Sequence, residues 1–198
     1  VGLSSGVDLV EPAFEQRRRE NAGMKTSIAR AAARLIGPSE SIGLDVGTSI
    51  LALAETLVNR RDLRVVTNNL RVALCLAEGS VAVYTLAGQV RSPEFSIVGP
   101  QAVSGLATHF LDRVFIGVAG VDANGFYDYS PEDSEVKRAF IENAGQVVVL
   151  CDSTKFGRRA LSRIAPLDKI DCLVTDATPE GDLGRQIAAA AIEVVIAE

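Results

Sequence analysis

Hydrophobic positions along the chain follow two alternating patterns. Short, nearly continuous apolar runs predict buried β-strands, at 41–46, 62–68, 80–88, 112–120, 146–152 and 172–176. Between these runs, apolar residues spaced three or four positions apart predict helices over 15–36, about 50–57, 69–78 and about 99–109, and over segments that begin at Ser130-Pro131 and at Thr178-Pro179. The last of these helices is expected to run to Val194. The segments 121–130 and 152–159, rich in polar residues, are predicted as loops.

The order of these elements predicts an α/β fold. Strands made of near-continuous Val, Ile and Leu are buried on both faces, so the sheet should be mostly parallel and covered by helices on both sides. We expect one domain over 15–198. Residues 1–14 contain Gly, Ser and Pro without a period, and we interpret them as a linker or extended arm.

Composition narrows the class of protein. The 198 residues are 47% hydrophobic and 5% aromatic, as in an α/β domain with an aliphatic core. A net charge of −5 offers no basic face, so this chain alone is not expected to hold nucleic acid. Its apolar runs are too short to cross a bilayer. Cys75, Cys151 and Cys172 lie in apolar runs, which predicts buried thiols in a cytoplasmic protein without a disulfide or zinc site.

Polar turns follow five of the predicted strands, at 45–49, 67–69, 120–122, 152–155 and 175–176. Because ligands of open α/β sheets bind at the C-terminal ends of the strands, we expect these turns to form one site. Gly47 lets the backbone approach closely, Thr48 and Ser49 add hydroxyls, and the following helix offers unpaired N–H groups to an anion. With Lys155 as a point charge, the turns predict a phosphate site.

A simpler interpretation stays open for several of these residues. Helices favour Ser, Thr, Asn or Asp at their first position. Four residues could therefore be helix caps and nothing more: Ser49, Asn68, Ser153 and Thr178. The run Arg17-Arg18-Arg19 is interpreted as a solvated helix face paired with Glu15 and Glu20.

No catalytic scheme is predicted. His109 is the only histidine and lies near a predicted helix end, where a solvated role or an interaction with the helix dipole is favoured over catalysis. The patterns GxGxxG and GxxxxGK[ST] are absent, so no nucleotide cofactor is predicted.

Five stretches of the chain occur in a characteristic order: LDVGTSILALAETL, RDLRVVTNNL, DRVFIGVAGVDANGF, EDSEVKRAFIENAGQVVVLCDSTKFGRRAL and IDCLVTD. In this order they resemble the C-terminal effector-sensing domain of DeoR-type bacterial transcriptional regulators. The stretch EPAFEQRRRENAGMKTSIARAAA is similar to the segment after the DNA-binding module of that family, so the resemblance covers the chain from about Glu11 onward.

The resemblance implies properties that composition does not. The fold would be that of ribose-5-phosphate isomerase and glucosamine-6-phosphate deaminase, and the effector would be a phosphorylated sugar or related metabolite that releases a repressor of carbohydrate genes from DNA. Operator DNA would be bound only through a winged helix-turn-helix, which precedes this domain in the family and which we do not find in this sequence. Because such regulators bind repeated half-sites, a homodimer or homotetramer is expected.

The resemblance also assigns residues, motif by motif. Asp45, Gly47, Thr48 and Ser49 match the family's D-x-G-T-T loop, and Thr67 and Asn68 match its T-N turn. Gly88 matches the second glycine of its Gly-Gly pair, and Asp122 matches the acidic residue after G-x-x-G. Asp133 and Lys137 match positions of the E-A-x-x-K helix, and Lys155 matches the lysine of D-S-S-K-F-G. Three departures stand out. Ser49 keeps a hydroxyl where a second threonine is usual, and Ala87 replaces a glycine. Asp133-Ser134 replaces Glu-Ala. The shorter carboxylate of Asp133 could alter which sugar hydroxyls are recognised.

Together these observations lead to a hypothesis with two alternatives. The effector's phosphate docks on Gly47, Thr48 and Ser49 with Lys155, its hydroxyls bond to Asp45, Asn68 and Asp122, and binding biases how the domains pack. One alternative is an aldose–ketose phosphate isomerase, in which Asp122, Asp45 and Lys155 would supply the base and the charge stabilisation. The other is an oligomerisation module with an empty crevice, in which Lys155→Ala would leave small-molecule binding unchanged.

Overall fold

The computed structural model describes residues 7, 8 and 10–198. The strands are β1 (Val7–Asp8), β2 (Ser41–Leu44), β3 (Arg64–Thr67), β4 (Ala82–Thr85), β5 (Gln89–Arg91), β6 (Ser96–Val98), β7 (Arg113–Gly117), β8 (Gly120–Asp122), β9 (Gly125–Asp128), β10 (Val147–Leu150), β11 (Arg159–Ala160), β12 (Ser162–Ala165), β13 (Cys172–Thr175) and β14 (Glu193–Ile196). The helices are α1 (Phe14–Arg19), α2 (Ala22–Arg34), α3 (Thr48–Leu57), α4 (Leu70–Ala77), α5 (Pro100–Leu106), α6 (Pro131–Glu142) and α7 (Gly181–Ala189). Short 3-10 helices cover Ser153–Lys155 and Leu167–Lys169.

The centre of the fold is a seven-stranded sheet in the order β14-β13-β10-β7-β2-β3-β4. Every neighbouring pair in it is parallel. One face packs against α2, α3 and α4, and the other against α5, α6 and α7, so the apolar core has two layers. The predicted parallel α/β sheet with helices on both faces is therefore confirmed, and all its strands end on the same edge.

Smaller sheets occupy segments that the sequence pattern left as loops. The segment 121–130 is a hairpin of β8 and β9, to which β12 adds antiparallel, so the loop prediction is wrong there. Val121 and Phe126 are fully or almost fully buried, but all four residues of β9 are buried, so no alternation of buried and exposed positions marks the hairpin. Its glycines and aspartates gave the segment the composition of a loop. A second hairpin, β5 with β6, precedes α5.

The predicted helix over 15–36 is broken in two. Asn21 has a left-handed backbone (φ 54°) between α1 and α2, which turns the chain. The side chain of Lys25, nearly buried, donates to the carbonyl oxygens of Arg17 and Glu20 and so satisfies the C-terminal end of α1. Phe14 is buried, with the Arg71 guanidinium 4.2 Å from its ring centroid. The arm 1–14 is described only at Val7–Asp8, which pairs with β11, and from residue 10 onward.

The C-terminal segment also departs from the prediction. The last helix begins at Gly181 after Glu180, so Thr178 and Pro179 are not its cap and first residue. It ends at Ala189, and Ala191 adopts a left-handed backbone (φ 57°) that ends the helical stretch. The chain then forms β14 beside β13, because Val194 and Val195 can pair there as an edge strand.

The three cysteines are free thiols. Burial raises the pKa of Cys151 to about 12 and that of Cys172 to about 11, so both are inert. Cys75 is only partly buried, which corrects the expectation for that residue. Across the described residues, no helix has the length and apolar content needed to span a membrane.

Candidate functional site

A cleft opens at the C-terminal edge of the sheet, where β2, β7 and β10 end. Two of the five predicted polar turns reach it, through Val46–Ser49 and through Asp152, Thr154 and Lys155. Gly117–Ala119, after β7, also lines it, whereas the predicted turns at 67–69, 120–122 and 175–176 do not, so the five turns do not form one site. The opposite wall comes from the N-terminal segment and the β5–β6 hairpin. Its residues are Glu11, Pro12, Arg17, Glu20, Asn21, Lys25 and Glu94, and Asp128, Tyr129, Asp133 and Arg158 complete the lining.

The loop between β2 and α3 forms one end of the cleft, here called the phosphate end (Gly47–Ser49 with Lys25, Lys155 and Arg158). Gly47 has φ 139° and ψ 162°, a backbone conformation open essentially to glycine alone. The helix α3 starts at Thr48, and within the described chain no side chain caps it. Its first N–H groups have no partner inside the helix and are left for an anion.

Ser49 supports this reading of the loop. Its side chain is 3% exposed and lines the cleft, yet its Oγ has no hydrogen-bond partner among the described residues. A buried hydroxyl without a partner costs free energy, and a ligand oxygen would relieve that cost. The alternative that Ser49 merely caps α3 is wrong, because Gly47 holds the cap position.

Positive charge converges on the phosphate end. Lys155 Nζ donates to the Val118 carbonyl at 2.8 Å and lies 3.8 Å from Asp152 Oδ2. Burial and the neighbouring Lys155 lower the pKa of Lys25 to about 8. An arriving anion would offset the repulsion between these two lysines.

An ion-paired group lies behind the cleft. Lys137, 1% exposed, pairs with Asp45 Oδ2 and with Asp128 Oδ2 at 3.0 Å, and donates to the Gly117 carbonyl at 2.9 Å. Burial raises the pKa of Asp45, opposed by Lys137. Burial also acts to lower the pKa of Lys137, but attraction to Asp128 and Asp45 outweighs it and the pKa is raised. Asp45 and Lys137 thus support the floor of the cleft.

A second group lines another part of the cleft, here called the acidic end (Glu11, Glu94, Asp133 and Arg17), and Arg91 pairs with two of these carboxylates without lining the cleft itself. Glu11 lies 3.2 Å from Arg17 and 3.1 Å from Arg91, and burial together with nearby Glu94 raises its pKa. Arg91 also pairs with Asp133 Oδ2, and Arg17 with Glu94. The N-terminal segment is thereby joined to α6 and to the β5–β6 hairpin.

Six residues predicted for the site do not line the cleft. Asp45 and Lys137 lie behind it, and Thr67, Asn68, Gly88 and Asp122 lie elsewhere. Thr67 and Asn68 are completely buried, and Thr67 Oγ1 accepts from the Asn69 amide. Asp122 is tied to Arg159, Asn124 and Tyr127. Gly88 packs its Cα against β6, where an added Cβ would lie 2.5 Å from the Val98 carbonyl oxygen.

The structure also settles which residues cap helices. Asn69, and not Asn68, caps α4 by accepting from the amides of Arg71 and Val72. Ser130 caps α6 as predicted. Asp152, not Ser153, precedes the 3-10 helix. His109 lies just past the end of α5 with Nδ1 2.9 Å from the Gly105 carbonyl oxygen, as expected for a helix-end residue.

Several residues that line the cleft were not predicted from the sequence. Arg17 pairs with Glu11 and Glu94, and Arg18 with Glu55, so the expected pairing with Glu15 and Glu20 is wrong. Glu94 had no recognisable motif around it. The apolar spacing predicted a buried face that starts at Met24 and Ile28, but Met24 is exposed and Lys25 is buried beside Ile28, so the spacing did not identify Lys25.

The fold and the cleft together define a ligand-binding α/β domain of the open parallel type. Ribose 5-phosphate isomerase A from Methanocaldococcus jannaschii has a similar structure, with a TM-score of 0.53 and 17% identity over 69% of this chain and 55% of that one. This likeness confirms the predicted fold.

Sequence comparison identifies the family. The family described as "DeoR C terminal sensor domain" matches residues 20–177, so the chain belongs to that family. The glycerol-3-phosphate regulon repressor of Escherichia coli K12 is 31% identical over 172 residues, covering 86% of this chain and 68% of that protein. The HTH-type transcriptional repressor GlcR of Bacillus subtilis is 31% identical over 175 residues, covering 88% and 67%.

Proposed function

We propose that this chain is the effector-binding domain of a transcriptional repressor and that its cleft binds a phosphorylated sugar or related metabolite. The observation that carries the proposal is the start of α3, which no side chain of the described residues caps, in a cleft that Lys25 and Lys155 also line. The buried Oγ of Ser49 in the same helix start lacks a partner within the described chain. Free helix N–H groups, a hydroxyl and two cations are the groups that bind a phosphate monoester. A relative named for glycerol-3-phosphate agrees with this chemistry.

Residues fall into three roles in this proposal. Gly47, Thr48, Ser49 and Lys155 bind the phosphate, as the sequence suggested, and Lys25 joins them. Asp133 faces the carbon chain of the effector. Asp45 and Lys137 act by holding the loop from below, since neither lines the cleft. The remaining candidates, Thr67, Asn68, Gly88 and Asp122, are proposed to shape the surrounding structure.

Binding is proposed to control DNA through the N-terminal wall of the cleft. Glu11, Pro12 and Arg17 belong to the segment of the chain that follows the DNA-binding module in the family. They line the same cleft as the phosphate loop. An effector that prefers one position of this segment shifts the equilibrium between the DNA-binding and released forms. We place the sensor domain at 15–198, with 1–14 as the connecting arm of a cytoplasmic homodimer or homotetramer.

An isomerase on the same scaffold is the less favoured function. Enolisation needs a carboxylate base that can reach the substrate. Asp122 is engaged by Arg159 and lies outside the cleft, and Asp45 is fully buried against Lys137. The relatives above are named as repressors, and we propose a binding role without catalysis.

The test is a thermal-shift and calorimetric screen with phosphorylated sugars, the parent sugars and inorganic phosphate. A ligand at about 100 times its Kd should stabilise the domain by about 2.7 kcal/mol. We expect a phosphorylated compound to raise Tm, its parent sugar to have no effect, and Lys155→Ala to abolish the response.

Lys169→Ala is the matched control, because Lys169 is an exposed lysine outside the cleft. The proposal fails if no phosphorylated compound binds, or if both lysine variants respond like the wild type. Turnover of a pentose or hexose phosphate would instead support the isomerase.

A further inference from the structure

The two ends of the cleft differ in charge. The phosphate end contributes Lys25, Lys155 and Arg158 together with the start of α3, and the carboxylates of Asp152 and Glu20 beside the two lysines offset only part of this charge. At the acidic end, three carboxylates share two guanidinium groups. A ligand that spans the cleft therefore meets cations and N–H donors at one end and an excess of carboxylate oxygens at the other.

The carboxylate oxygens of the acidic end are available as acceptors. Glu94 is 1% exposed and lines the cleft, and its Oε1 is 2.5 Å from Arg17 Nη2. Despite this ion pair, neither Glu94 oxygen accepts a hydrogen bond of ordinary geometry from any described residue. Asp133, equally buried, pairs with Arg91 through Oδ2, whereas Oδ1 has no hydrogen-bond partner in the described chain. Buried acceptors of this kind require donors from a ligand or from water.

The two arginines at this end are already neutralised. Arg17 contacts Glu11 and Glu94, and its Nε donates to the Pro12 carbonyl at 3.1 Å. Arg91 contacts Glu11 and Asp133. A further carboxylate brought by a ligand would be a fourth anion beside two cations, in a site where burial weakens solvent screening.

We propose that Glu94 is a specificity-determining residue, and that the effector carries hydroxyl donors, not a carboxylate, at the end opposite its phosphate. This inference rests on the proposed phosphate site and narrows its ligand class. Sugar phosphates and sugar-alcohol phosphates fit, because each hydroxyl donates to a carboxylate oxygen of Glu94 or Asp133. Phosphorylated sugar acids of the same length are rejected by charge repulsion.

The experiment compares matched pairs by isothermal titration calorimetry at pH 7.5. The pairs are glycerol 3-phosphate with 3-phosphoglycerate, erythritol 4-phosphate with 4-phosphoerythronate, and sorbitol 6-phosphate with 6-phosphogluconate. In the pair that contains the tightest ligand, we expect the hydroxyl member to bind at least about tenfold more tightly than the acid.

Glu94→Gln keeps the shape of the side chain and removes its charge, so the preference should fall to about threefold or less. Glu20→Gln is the matched control, because Glu20 is an exposed carboxylate that lines the same cleft outside the acidic end, and the preference should be unchanged. If Glu94→Gln does not fold, Asp133→Asn removes the other acceptor charge and should reduce the preference in the same way.

Two results would overturn the inference alone: the wild type binding an acid as tightly as its partner, or an unchanged preference in the Glu94 or Asp133 variant. In both, phosphorylated ligands still bind and the phosphate site stands. If neither the six compounds nor inorganic phosphate binds, the proposed function fails and the inference fails with it.

Discussion

Lys137 and Asp45 form a fully buried ion pair that joins α6 to the end of β2 beneath the floor of the cleft. The two residues are 92 positions apart in the chain. Asp128 and the Gly117 carbonyl complete the contacts of the ammonium group. The loop that begins the proposed phosphate site therefore rests on a charge network in which the Lys137–Asp45 pair is closed to solvent and Asp128 lines the cleft.

Removal of the lysine should be costly. Lys137→Met leaves Asp45 and Asp128 without their cation, and breaking a buried pair in this way costs about 3–5 kcal/mol. Chemical denaturation should show this loss, whereas Lys169→Met at an exposed lysine should change the free energy of unfolding by less than about 0.5 kcal/mol. The double variant Lys137→Met/Asp45→Asn should recover part of the loss. Similar stability of the two single lysine variants would contradict the structure.

Substitution of Gly47 should affect both folding and binding. An alanine at φ 139° and ψ 162° is strained, at a cost of about 1–3 kcal/mol, and relief of that strain moves the N–H groups at the start of α3. We expect Gly47→Ala to weaken binding of a phosphorylated ligand at least about tenfold by calorimetry.

Gly181→Ala is the control, because Gly181 also has positive φ (61°) with open space around it, and it lies outside the cleft. That variant should lose about 1 kcal/mol of stability and keep full affinity. Equal affinities of the two glycine variants would exclude the loop as the phosphate site.

Phosphate binding should weaken as pH rises through about 8. The pKa of Lys25 is lowered to about 8, so its charge is lost above that pH in the unliganded domain, and a bound phosphate would raise this pKa and take up a proton. A phosphate monoester is already doubly charged there, since its second pKa is about 6. The groups that act on Lys25 are Asp152, Lys155, Arg17 and Glu20.

We expect a fall in affinity of about five- to tenfold between pH 7.5 and 9, with proton uptake visible in calorimetry in buffers of different ionisation enthalpy. Lys25→Arg keeps the charge at every pH in this range and should flatten the profile. An identical pH slope in this variant would show that Lys25 does not act on the phosphate. The free energy of unfolding without ligand should change in the opposite direction with pH. The lowered pKa of Lys25 destabilises the folded state below pH 8, and this destabilisation is relieved as pH rises.

The phosphate end was largely predictable, because its signal is local. Gly47 and Ser49 follow a buried strand at the start of a helix, and Lys155 follows another strand, so parallel topology brings them together. Asn68 stands in an equally polar turn, but Asn69 takes the cap position and Asn68 is buried. A shift of one residue in the start of a helix decides which of two neighbouring polar side chains caps the helix and which is buried. The sequence pattern does not locate helix starts to within one residue.

The acidic end was not predictable in the same way. It depends on the turn at Asn21, which redirects α1, and on the β5–β6 hairpin, which carries Glu94. Each is a tertiary arrangement of segments with weak periodicity. Three strands of the central sheet, β2, β3 and β4, lie between Arg17 and Glu94 in sequence, and the two residues pair only when α1 docks through Phe14.

The placement of Glu11, Pro12 and Arg17 in the wall of the cleft makes the coupling reciprocal. If an occupant favours one position of this segment, a restraint that holds the segment in another position must weaken the occupant's binding by the same factor. The affinity for a sugar phosphate would then report the position in which the N-terminal segment is held. If that segment were joined to a different domain, the effector concentration at which the sensor responds would change, although no residue that touches the phosphate had been altered.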